Sequence, residues 1–134
     1  MIVEEILRSP SPQISEDLVS VYWDALLESE QFAKLRRELT ERVKQGSRRL
    51  AAEAQIKRGD IDRKKGEFQA ALVDGYLRTI LLFQQVREVQ PEALYKAAQC
   101  FEELGQVAHA EKMRKKLLAE HPQDPYARKL RTGA

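Results

Sequence analysis

At 134 residues the chain can bury a single core without a disulfide or a metal to hold it. Ala, Leu, Glu, Arg, Lys and Gln dominate, Asn is absent and aromatics are 7%, which favours an all-helical chain over a sheet protein. The net charge of +2 excludes nothing, but its distribution is uneven: residues 1–32 carry −6, residues 33–66 carry +7 and residues 67–134 carry +1. A lone cysteine, Cys100, excludes an intramolecular disulfide. The start of the chain does not read as a signal peptide, and the longest apolar run, Ile80-Leu81-Leu82-Phe83, is far short of a membrane span. The expectation is a cytoplasmic protein; the alternative is a soluble domain of a longer exported or membrane-anchored one.

In chain order, residues 1–15 form an N-terminal arm broken by Pro10 and Pro12. Ser15 before Glu16-Asp17 reads as a helix cap with acids in the first turn, where the helix dipole favours them. Over 16–45 two helices are predicted, the first lined by Leu18, Val21, Tyr22, Ala25 and Leu26, the second by Leu35, Leu39 and Val43. Glu30 falls in the turn between them. Residues 47–90 form a second helix pair turning at Gly66, and its second helix, over 67–89, is predicted to be unusually long and apolar on two sides. Pro91 suits the first turn of the next helix, where a missing N–H costs nothing. Leu94, Ala97, Ala98, Phe101 and Leu104 form its stripe, Gly105 turns the chain, and Val107, Ala110, Met113, Leu117 and Leu118 line a partner helix that Pro122 stops. Asp124-Pro125-Tyr126 reads as the cap and start of a short covering helix within 123–134.

The unit over 91–122 resembles a tetratricopeptide repeat: Leu94, Ala97, Ala98, Phe101, Gly105, Ala110, Leu117 and Pro122 match its pattern of large, small, aromatic and turn residues. Small residues at Ala98 and Ala110 let two helices approach, and large ones fill the gaps. Arg114 departs from the usual aromatic. Aligning Gly66 with Gly105, at an offset of 39 residues, places Gly59, Phe68 and Ala71 on matching positions. The stretch 16–45 is a degenerate unit, with Trp23 where a small residue is expected. The resemblance implies a bacterial, all-α protein: an α-α superhelix of antiparallel helix–turn–helix repeats, acting as a protein-binding scaffold rather than an enzyme.

The resemblance also implies a concave face lined by the first helix of each unit. Partner-binding candidates are therefore Tyr95, Gln99 and Glu102 in the last unit, and Ile56, Asp60, Arg63 and Lys64 in the middle one. Tyr95 is the preferred anchor, a large amphipathic ring on a polar groove; the alternative is that it packs on the next helix. A carboxylate clamp of Lys, Arg and Asn is not recognisable, since Asn is absent.

No catalytic, metal or cofactor site is expected. His109 and His121 lie outside any ligand spacing, Gly59 and Gly66 form no phosphate loop, and Cys100 reads as a small core residue. The basic middle includes Arg36, Arg37, Arg48 and Arg49. It reads as a salt-bridged solvated surface, or as a dock for an acidic partner, including the acidic third of another copy in a homo-oligomer. Nucleic acid is the disfavoured alternative, because no aromatic residues interleave the charges. A regulatory subunit of an enzyme is a further alternative.

Overall fold

The computed structural model describes residues 14–133, so the arm expected over 1–15 lies outside the described residues except for Ile14 and Ser15. Among the described residues there are seven α-helices and no strand. Helix α1 is Glu16–Glu28, α2 is Phe32–Val43 and α3 is Arg48–Lys64. Helix α4 is composite: a short α-helical start, Phe68–Ala70, a π-helical turn, Ala71–Tyr76, and a final α-helical stretch, Leu77–Leu82. Helices α5, α6 and α7 are Gln90–Glu103, Val107–Glu120 and Pro125–Thr132. No helix among the described residues is long and apolar enough to cross a membrane.

Three hairpin turns share one construction. Glu30, Gly66 and Gly105 take positive φ values of 57°, 78° and 75°. The N–H of the next residue then reaches back to a helix carbonyl: Gln31 to Leu26 at 2.9 Å, Glu67 to Asp62 at 2.9 Å and Gln106 to Phe101 at 2.8 Å. This closes the preceding helix and sends the chain back along it. Glycine takes the left-handed conformation at no steric cost, whereas Glu30 carries a Cβ there. Caps set the starts: Ser47 accepts the Leu50 N–H at 3.1 Å, and Asp124 accepts the Tyr126 N–H at 2.8 Å. Ser15 stands at the cap of α1, but its side chain makes no capping bond.

Two apolar clusters hold the helices together. In the first, α1 contributes Val19, Tyr22, Trp23 and Leu26, against Leu35, Leu39, Leu50 and Ile61. This corrects the predicted stripe by one residue, for Leu18 and Val21 are 52% and 62% exposed. The buried set has i, i+3, i+4, i+7 spacing and brings Trp23 fully into the core, where its ring area is worth most. The second cluster joins Ala52 and Ile56 of α3, Leu72, Tyr76 and Ile80 of α4, Leu94 and Ala97 of α5, Leu117 of α6 and Ala127 of α7.

The long helix expected over 67–89 is not formed. Helix α4 ends at Leu82, and a 3-10 turn, Arg87–Val89, leads into α5. Side chains take over its last carbonyls: Arg48 donates to Leu82 O at 2.8 Å, and Gln90 Nε2 donates to Thr79 O at 3.2 Å and Phe83 O at 2.7 Å. Nor is α4 covered on two sides, since Val73, Leu81 and Leu82 are exposed.

Candidate functional site

The centre of the molecule is a close crossing of α3 and α4. A Cβ placed on Gly75 would lie 2.4 Å from Gly59 Cα and 2.7 Å from Gly59 N, and one on Gly59 would lie 2.8 Å from the Tyr76 ring. The two backbones touch because neither residue has a side chain. The π-helical turn of α4 spans this crossing, and its carbonyls find side-chain donors: Thr79 Oγ1 donates to Gly75 O at 2.9 Å, and Gln55 Nε2 donates to Asp74 O.

Tyr76, directly after the crossing, donates its hydroxyl to Asp60 Oδ1 at 2.5 Å. Lys96 of α5 reaches both Asp60 oxygens at 3.0 and 3.1 Å and Glu92 Oε2 at 2.7 Å. Lys57 lies 3.4 Å from Asp60 Oδ2 and bonds Asp24 of α1 at 2.5 Å. One set of charges thus ties α1, α3, α4 and α5. Burial alone would raise the Asp60 carboxyl, but Lys96, Lys57 and the Tyr76 hydroxyl outweigh it and hold it below its ordinary value. Burial and then the Asp60 charge push the Tyr76 phenol up. Lys96 is raised too, because Asp60 and Glu92 together exceed the opposing effect of its burial. Asp60 and Lys96 are thus held charged and Tyr76 neutral. Their arrangement fixes helix positions. Burial likewise pushes the Cys100 thiol up to about 11, which keeps it an inert core group.

Beside this rigid centre, α5 presents two open clefts. One, of about 430 Å³, lies between Arg63 at the end of α3, Phe68 at the start of α4, and Gln99, Glu102 and Glu103. The other, of about 410 Å³, lies between Tyr95, Gln99 and Glu102 on α5 and the side chains of α6 and α7, Lys129 among them. Gln99 and Glu102 line both, so the clefts adjoin along α5. The Gln99 side-chain oxygen is buried without a hydrogen-bond partner among the described residues. Tyr95 packs its ring 5.1 Å from that of Tyr126, with Lys129 Nζ 5.6 Å above it, and still faces the cleft.

The predicted partner-binding set is therefore divided. Tyr95, Gln99, Glu102 and Arg63 line the clefts. Ile56 does not: it is 2% exposed and belongs to the core cluster under α4 and α5. Asp60 is buried in the ion network, and exposed Lys64 turns to Glu28 of α1 at 3.7 Å, lining neither cleft. The basic residues serve separate partners. Arg36 bonds Asp62 at 2.7 Å, Arg49 bonds Glu53 at 3.2 Å, Arg48 caps α4 with its guanidinium 4.8 Å over the Phe83 ring, and Arg37 is exposed. The acidic N-terminal third meets the basic middle inside one molecule, through Asp24–Lys57, Glu28–Lys64 and a Ser47 hydroxyl donated to Glu16.

Lys96 and Tyr76 are not among the site residues that the sequence predicts. The one signal for Lys96 is its i,i+4 spacing from Glu92, and Asp60 enters only through the fold. Among the described residues no group of three or more His, Cys, Asp or Glu is placed to hold a metal ion. Compared with models of known families, with curated proteins and with solved structures, the chain has no match.

Proposed function

We propose that the chain is a non-catalytic protein-interaction module, a short array of tetratricopeptide-like hairpins, in which the adjoining clefts along α5 receive a segment of another protein. The observation that carries this reading is the continuous line of Tyr95, Gln99, Glu102 and Arg63 across two open clefts, built on helices that a buried ion network holds in register. Gln99 adds to it by lining both clefts, so that one residue joins them along α5. The three like-built turns at Glu30, Gly66 and Gly105 support the repeat reading.

Affinity capture from the source cell tests it, with the wild type compared against Gln99→Arg and Tyr95→Ala. A protein retained by the wild type and lost with both variants is the expected result. Equal retention by all three would remove the α5 clefts as the binding surface.

A further inference from the structure

A third cleft, of about 520 Å³, lies between α2, α3 and α4, and it gathers three guanidinium groups: Arg36 from α2, Arg58 from α3 and Arg78 from α4. They are incompletely matched. Arg36 gives one nitrogen to Asp62 at 2.7 Å while its side chain stays 40% exposed. Arg58 donates to the neutral hydroxyl of Thr40 at 3.1 Å, and neither it nor exposed Arg78 makes an ion pair among the described residues. Burial and then the Arg36 charge both lower the pKa of Arg58, so this guanidinium sits partly desolvated beside a like charge. An arginine cannot relieve that repulsion by losing its proton, whereas a bound anion can.

Next to the cleft, α4 carries an apolar edge. Val73 and Leu81 are exposed and Leu77 is half-buried, at i, i+4 and i+8, alongside Asp74 and Arg78. We propose that this cleft binds an acidic amphipathic segment of a partner protein, with its carboxylates on Arg36, Arg58 and Arg78 and its apolar side chains on Val73, Leu77 and Leu81. Nucleic acid fits less well. The lining residues include no aromatic ring to stack a base. The proposal rests on the protein-binding reading above and adds to it a second surface and the chemistry of the partner.

The test is fluorescence anisotropy of the full chain, at low salt, with a fluorescein-labelled peptide of Glu and Leu in amphipathic order. The wild type is expected to bind it, more weakly as salt is added. Replacing every Glu of the peptide by Gln, or making Arg78→Glu in the protein, should weaken binding by roughly tenfold. Arg58→Gln should weaken it as well, and Arg78, being exposed, can be reversed without disturbing the helical circular dichroism. Arg37→Glu, an exposed charge outside the cleft, should change affinity by no more than about twofold. No binding by the wild type, or an equal loss with Arg37→Glu, would overturn the proposal. So would a single-stranded RNA that binds more tightly than the peptide and is lost with Arg78→Glu. A cellular partner lost with Gln99→Arg and retained by Arg78→Glu, together with no peptide binding, would leave the α5 reading standing and remove this one; peptide binding that depends on Arg78, with no partner dependent on Gln99, would do the reverse.

Discussion

The hairpins α3–α4 and α5–α6 turn on equivalent glycines, Gly66 and Gly105, yet they solve the problem of helix contact in opposite ways. Gly59 and Ala98 occupy the same place before the turn, and Gly75 and Arg114 the same place after it. In α3–α4 the two glycines bring backbone against backbone, the π-helical turn accommodates the crossing, and Tyr76 lies over Gly59 to reach Asp60. In α5–α6 the equivalent place before the turn carries a methyl, buried Ala98, with Ala110 also buried, and Arg114 pairs with Glu102 and Glu111. A shared turn therefore sets chain direction only. The side-chain volume at the crossing sets how near the helices come, and with it whether a polar group can be buried between them.

Removing the buried charge should separate the hairpins most. Asp60→Ala leaves Lys96 and Tyr76 short of their acceptor, and a loss of about 3 kcal/mol is expected in urea unfolding. The same carboxylate leaves a pH signature. Its folded-state pKa lies below the ordinary 3.8, so near pH 4 the unfolded chain binds more protons at this position than the folded one. The stabilisation is thus complete above the ordinary value and is lost as pH falls through the folded one. Urea midpoints measured between neutral and acid pH should fall more steeply for the wild type than for Asp60→Asn; parallel profiles would deny Asp60 this role.

Filling the crossing comes next. Gly75→Ala drives a methyl into the Gly59 backbone and should cost about 2–3 kcal/mol, because backbone cannot move aside as a flexible side chain can. Tyr76→Phe keeps the ring on Gly59 and removes only the charge-assisted hydrogen bond, at about 1.5 kcal/mol. In the other hairpin, Ala98→Gly should cost about 1 kcal/mol through helix propensity and lost packing, with no change in the acid profile. The smallest effect is a gain. Glu30 turns the first hairpin at positive φ with a side chain in place, and Glu30→Gly should stabilise by about 0.5–1 kcal/mol, seen as a higher thermal midpoint.

Much of the helical plan was legible from residues whose effect is local. Pro91 in the first turn of α5, Asp124 capping α7, and Gly66 and Gly105 at positive φ all follow from what those residues do to their own backbone. The errors have a common source in partners distant along the chain. Periodicity carried α4 on to residue 89, since nothing local marks Leu82 as an end; Arg48, 34 residues upstream, and Gln90 supply it. On α1 two overlapping apolar stripes compete, and the burial of Trp23 against Leu35 and Leu39 decides between them. On α3, Ile56, Asp60 and Arg63 read as one exposed line, but α4 and α5 cover the first two and leave Arg63 at the cleft.

By itself, then, the sequence determined that the chain is helical, where most helices start and where the two glycine hairpins turn, because propensity, capping and positive-φ glycines act within a few residues. Tertiary structure alone decided which charges are buried, that Gly59 meets Gly75, that Asp60 is buried against Lys96, and that Arg36, Arg58 and Arg78 share a cleft. Those outcomes depend on distances between helices, which side-chain volumes at the crossings set and which no window along one helix contains.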